Sequence, residues 1–179
     1  VEKNLIEYEH MACKKSIRNS LRQRGLENEF TLLQGEVYGP RILEAKPAEG
    51  MIKAIKDLQS KDIKLVLISH KTKKPYSGPA YDLRGSAWAW LDKYKFFEKG
   101  GLAWEYNQLF FASSKEEKIA KIIDLECNAY IDDLPEILDM LPAKMQRIHY
   151  NPSKEFTNSN HTQLARWSDL RRITKKSDN

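Results

Sequence analysis

The chain has 179 residues, of which 41% are hydrophobic and 31% charged, with a formal net charge of +5. That balance suits one globular domain with a real core and excludes a disordered chain. No apolar stretch approaches a membrane span, no secretory segment opens the chain, and Cys13 and Cys127 are isolated, without metal-ligand spacing. They read as reduced thiols, and a cytoplasmic protein with no membrane partner is expected.

In chain order, residues 3–25 read as a helix that "GLENEF" interrupts. Residues 30–44 are ambiguous, because Gly35, Gly39 and Pro40 break an otherwise periodic pattern. "EGMIKAIKDLQSK" (49–61) puts Met51, Ile55 and Leu58 on one helical face, and "IKLVLIS" (63–69) is a nearly continuous apolar run of the kind found in doubly buried strands. "DLRGSAWAWLDKY" (82–94) reads as a helix with Trp88 and Leu91 inward, and Trp90, Phe96 and Phe97 also read as core. "QLFFAS" (108–113) is a strand, "KEEKIAKIIDL" (115–125) a helix and "NAYID" (128–132) another buried strand. "LPEILDML" (134–141) is a helix with Pro135 in its first turn, where a missing N–H is harmless. "MQRIHY" (145–150) is a last strand, "SKEFTNSNHTQ" (153–163) a surface loop, and "WSDLRRI" (167–173) a closing helix with Ser168 as its N-cap.

Helices alternating with short apolar strands predict an α/β protein with a mainly parallel sheet covered on both faces, a Rossmann-like three-layer α/β/α arrangement. One domain is expected over residues 1–179. It would comprise a cap-like helical segment (1–45), an α/β core (46–150) and a C-terminal loop and helix (151–179). The basic segments "KKSIRNSLRQR" (14–24) and "RWSDLRRITKK" (166–176) carry their charges at helical spacing, so solvated helix faces are expected and nucleic acid is not.

In such a sheet ligands bind beyond the carboxyl ends of the strands. One strand ends there in Ser69, followed by His70, and another in the adjacent carboxylates Asp132 and Asp133. The helix between them opens with Lys115 and Lys118. A hydroxyl, an ammonium and a carboxylate pair make a cradle for a phosphoryl group and Mg²⁺. The bland alternatives are a turn serine, solvated lysines, a polar filler histidine, and an Asp that caps the helix after residue 133.

This order of features resembles motifs II, III and IV of the haloacid dehalogenase (HAD) superfamily, mostly Mg²⁺-dependent phosphatases. The likeness covers roughly residues 45 to 150, and "LQGEVYGPRILEAKPAEGM" resembles the approach to the second strand in a bacterial HAD-like subfamily. The resemblance implies that Ser69 binds phosphate and that Lys118, 14 residues before Asp132, is the motif III lysine, with Lys115 as the other candidate. It implies Asp132 and Asp133 as metal ligands, and a small phosphorylated substrate that His70 also contacts. It departs from the family at one point. Motif I, a strand ending in DxD whose first Asp is the nucleophile, is not found in the 179 residues. In the family that strand lies between the equivalents of 63–68 and 128–132. The expectation is therefore a HAD-like phosphomonoester phosphatase, incomplete and inactive as it stands. The alternative is a non-catalytic HAD-like module that binds a phosphorylated ligand or a protein partner.

Overall fold

The computed structural model describes residues 14–154 and 160–174. Two helices come first, α1 (Lys14–Gln23) and α2 (Glu27–Tyr38), followed by a 3-10 turn at Ile42–Glu44. The expected helix over 3–13, and with it Cys13, lies outside the described residues. The core then runs α3 (Met51–Gln59), β1 (Leu67–His70), α4 (Leu83–Lys93), β2 (Leu109–Ala112), α5 (Lys115–Asp124), β3 (Ala129–Asp132), α6 (Pro135–Asp139) and β4 (Gln146–Tyr150). It closes with β5 (Thr162–Leu164), a 3-10 turn at Trp167–Asp169 and α7 (Leu170–Thr174). No helix among the described residues is long and apolar enough to cross a membrane.

The ambiguous stretch at 30–44 resolves into the end of α2, which passes through Gly35 and stops at Gly39, its C-cap, and the 3-10 turn beyond it; both glycines are close-approach positions. A Cβ on Gly35 would stand 3.1 Å from Pro75 Cγ, and one on Gly39 would stand 2.6 Å from the Gly35 carbonyl oxygen. Both serve the same contact: the loop after β1 lies across α2, with Ser77 Oγ donating to Asn28 at 2.9 Å and the Tyr81 hydroxyl to Glu36. The helical N-terminal segment is thereby fastened beyond the carboxyl end of β1.

Every strand pairing is parallel. The pairings form two sheets, however, where the sequence predicts one: β1–β2, and β3–β4–β5. Helices cover both faces of the three-stranded sheet. On one face, Tyr130 joins Ile119 and Ile122 of α5 and Ile137 and Leu138 of α6 in a buried cluster that also takes in Ile68 of β1. On the other, Ile148 and Leu164 pack with Ala54 and Leu58 of α3 and Leu170 of α7. A third cluster gathers Leu91, Phe96, Leu102, Trp104 and Leu109, with Trp88, Trp90 and Phe97 against it, so the aromatic residues around α4 are core as expected.

Three local expectations are corrected. Strand β1 begins at Leu67 and not Ile63, because the Leu65 carbonyl is taken by the Gln108 side-chain amide at 2.7 Å. Part of the expected 153–163 loop is strand β5. Ser168 lies inside the 3-10 turn and caps nothing; Arg166 occupies the position before that turn, bonded to Asp169.

Candidate functional site

The site is built where β1, β2 and β3 end. Strand β2 runs into Ser114, whose side chain accepts from Glu117 N–H at 3.1 Å and starts α5. One turn later Lys118 points inward. Its Nζ lies 2.5 Å from Asp132 Oδ2 at the end of β3, and both side chains are almost fully buried, at 8% and 5% exposure. The ammonium also stands 5.5 Å from the centre of the Tyr130 ring. Asp132 Oδ1 accepts from Leu134 N–H at 3.0 Å, a turn bond two residues on; the N-cap position of α6 is Leu134, which carries no side-chain cap. Lys115 instead makes an exposed ion pair with Glu136 at 2.6 Å. Of the two candidate lysines, Lys118 is the one bonded to Asp132.

Burial pushes the Asp132 carboxyl above its ordinary value, against the opposing pull of Lys118, and the neighbouring Asp133 charge adds to the rise. Asp133 itself is exposed. Ser69 is half-buried at the end of β1, in register with Phe111 of β2. His70 is exposed, and its Nε2 lies 3.3 Å from the Ser113 carbonyl oxygen beyond β2. Arg84 at the start of α4 completes that neighbouring corner, donating to the Lys71 carbonyl and to Ser113 Oγ, each at 3.0 Å. Thus Lys118 and Asp132 come together, Asp133 follows them exposed, Ser69 stands at the end of β1, and His70 belongs to the β1–β2 corner.

A divalent cation tests this arrangement. A hard ion of this kind takes about six oxygen ligands. Here both Asp132 oxygens are engaged, by Lys118 and by Leu134 N–H, which leaves Asp133 as the exposed carboxylate of the pair. Among the described residues no group of three or more His, Cys, Asp or Glu side chains is gathered to hold a metal.

Two features escape sequence reasoning. The first is Tyr130. Its hydroxyl crosses from β3 to donate to the Ile68 carbonyl of β1 at 2.7 Å, a buried bond between two strands that share no ladder. The ring was legible as core, but nothing in "NAYIDD" indicates where the hydroxyl goes. The second is a polar row beside Asp132. The β3–β4 register sets Asp132 against the fully buried His149. The buried His161 beyond it bonds Asp139 of α6 at 2.8 Å. Successive polar residues on one face of adjacent strands have no local sequence signature, because the strands meet only in the fold.

Among the described residues, the outer edges of β1 and β3 can be read from the ladders. Lys71 N–H donates to the Ala112 carbonyl at 2.8 Å, so the odd-numbered residues of β1 turn their peptide groups to β2, and Ile68 and His70 turn theirs away. Gln146 N–H donates to the Asn128 carbonyl at 2.9 Å, so Ala129 and Ile131 turn theirs away from β4. The Tyr130–Ile68 bond sets these two edges towards each other.

Fold and site together define a mixed α/β protein with short parallel sheets and a buried lysine–aspartate pair at a strand end. Neither protein-family models nor curated protein sequences give a match to this chain.

Proposed function

We propose that the chain is a HAD-like phosphohydrolase module, Rossmann-like and three-layered in build, whose cleft between Ser69 and Lys118 receives a phosphomonoester. The observation that carries this reading is the buried Lys118–Asp132 pair at the carboxyl end of β3, with Ser69 near the carboxyl end of β1, a strand that Tyr130 of β3 bonds at Ile68. An ammonium held in a dry setting is a strong partner for phosphate oxygens, and the Ser69 hydroxyl can donate a further hydrogen bond. Lys118 would exchange part of its contact with Asp132 for the incoming phosphate.

No residue of the cleft is suited to attack phosphorus. Asp132 is buried and bonded through both oxygens, and Ser69 has no general base bonded to it among the described residues. An attacking carboxylate would have to come from outside the residues that line the cleft. The chain as it stands therefore binds phosphate without turning over an ester. That same closed ion pair favours the second reading, a non-catalytic module for a phosphorylated ligand.

The test is a ¹⁵N-correlation titration with inorganic phosphate, alongside a turnover assay with p-nitrophenyl phosphate. Shifts at Ser69 and Lys118 that vanish in Lys118→Met, with hydrolysis at background, are the expected result. Absence of any phosphate-induced shift at these residues would remove the phosphate reading. Hydrolysis above background that is lost in Asp132→Asn or Asp133→Asn would overturn the argument that the nucleophile is missing.

A further inference from the structure

Cations are unevenly paired on this surface. The lysines of α5, Lys115, Lys118 and Lys121, each hold a carboxylate. Among the described residues, Lys46, Lys53 and Lys56 are exposed and in no ion pair. All three line a solvent-open cavity of about 820 Å³, bounded by the segment that leads into α3, the outer face of α3 and Tyr94 at the end of α4.

The walls of this cavity are tied down. The Ala45 carbonyl accepts from Trp90 Nε1 at 2.9 Å and from the Tyr94 hydroxyl at 3.0 Å, which fastens the start of the segment to α4. The segment's other end turns at Gly50, whose φ of 75° suits glycine. There it rests on the C-terminal turn, with Ser168 N and Trp167 Cβ at 3.7 and 3.8 Å from where a Cβ would stand. Helix α3 buries Ala54 and Leu58 in the core, which turns Lys53 and Lys56 outward.

Two carboxylates share the lining. Asp57 is taken by Arg171 of α7 at 3.2 Å, so its charge is met without the lysines. Glu49 is exposed and opposes them. Lys53 and Lys56 stand about 4.5 Å apart along the helix axis, and Lys46 comes from the other wall, so the positive charge is spread out. The rest of the lining includes an apolar shelf of Pro47, Ile52 and the Tyr94 ring, each half-buried.

We propose that this cavity binds a nucleoside polyphosphate, its phosphates among Lys46, Lys53 and Lys56 and its base against Pro47, Ile52 and Tyr94. The volume lies in the range of small-molecule sites. Several ammonium groups set apart from one another match a chain of phosphates better than a single one. A flat, largely apolar base covers a shelf that inorganic phosphate would leave wet. This is a second site, on residues separate from the cleft of Ser69 and Lys118, and it does not depend on the phosphate reading of that cleft.

The test is a ¹⁵N-correlation titration of the full chain with ATP in magnesium-free buffer, beside adenosine and inorganic tripolyphosphate. Saturable ATP shifts at residues 46–57 and Tyr94 are expected. Tripolyphosphate should bind about two- to tenfold more weakly, the worth of one aromatic contact, and adenosine more weakly still. Lys53→Gln with Lys56→Gln should weaken ATP binding by about tenfold or more. Lys61→Gln with Lys64→Gln changes the net charge equally at exposed positions outside the lining, and should leave ATP binding as it was. Glu49→Gln removes the opposing charge and should tighten it about two- to fivefold. Equal losses in the two lysine pairs would reduce the effect to general attraction by a basic surface and overturn the proposal. Tripolyphosphate binding as tightly as ATP, or ATP shifts confined to Ser69 and Lys118, would overturn it too. Inorganic phosphate shifts at Ser69 and Lys118 without ATP shifts at 46–57 would sink this site and leave the phosphate cleft standing, and the converse pattern would do the reverse.

Discussion

Replacing Lys118 with Met keeps most of the aliphatic stem and deletes the charge, which isolates the buried ion pair. With the ammonium gone, Asp132 remains at 5% exposure beside Leu134 N–H and must either stay ionised without a counter-charge or take up a proton. Removing one partner of a buried pair typically costs about 3–5 kcal/mol. Protonation sets a ceiling on that cost. From the ordinary value of 3.8 to pH 7 is a gap of about 3.2 units, or about 4.4 kcal/mol at 1.36 kcal/mol per unit. At pH 5 the ceiling falls to about 1.6 kcal/mol. The sign follows from the direction of the shift. A carboxyl raised in the folded state contributes stability that is fully present below its unfolded value and lost as pH rises through the folded one. Lys118→Met raises Asp132 further, so the variant should regain stability relative to the native chain as pH falls. Urea unfolding at both pH values should give a loss of about 1–4 kcal/mol at pH 7 that shrinks below about 1.6 kcal/mol at pH 5. Adding Asp132→Asn to the variant should recover most of the loss at pH 7, since an amide needs no counter-charge. A loss below about 0.5 kcal/mol at pH 7, or one equal at both pH values, would refute the reasoning.

Calorimetry with Mg²⁺ should register little heat, because Asp132 is committed to Lys118; low-micromolar binding abolished by Asp133→Ala would show a more complete site. Tyr130, raised well above 10 by burial and by the neighbouring Asp132, should hold its proton past the range in which exposed tyrosines ionise. Its contribution is fully present below about pH 10 and lost as pH rises further, so absorbance at 295 nm should show a late-ionising component that Tyr130→Phe removes, beside that of Tyr81, which its bond to Glu36 also raises. Asp82 accepts from Gly85 N–H at 2.9 Å as the N-cap of α4, so Asp82→Ala should cost about 1 kcal/mol in urea unfolding and leave phosphate shifts at Lys118 untouched.

What was legible in the sequence follows from how local its causes are. Strands β2, β3 and β4 lie within a residue or two of their expected spans, because short apolar runs between turn signals are sufficient to mark them. The Lys118–Asp132 contact was within reach because helix α5 leads directly to β3, which leaves few places for a lysine 14 residues upstream to go. Strand β5 was missed because it is three residues long with one buried side chain, Leu164, and so carries no periodicity. Helix α2 was obscured because Gly35 and Gly39 answer to Pro75 and Tyr81, partners some forty residues away. The placement of His70 was not readable at all. It depends on which neighbour the β1 end has, and that neighbour is Ser113 beyond β2.

The division of the sheet also bears on how the molecule comes apart. Within each half, strands are locked by backbone ladders, but among the described residues the two halves are joined by helices α3 and α5 and by side chains, including the Tyr130 hydroxyl, the Lys118–Asp132 and Lys115–Glu136 ion pairs and shared apolar clusters. Side-chain contacts transmit cooperativity less rigidly than a shared ladder. The α4–β1–β2 half, with its aromatic cluster, and the β3–β4–β5 half are therefore natural candidates for separate opening units, each able to lose structure while the other persists. Helices α3 and α5 each pack on both halves, so opening one half must work against them, and the slowest-exchanging amides of the protein are expected along these two helices.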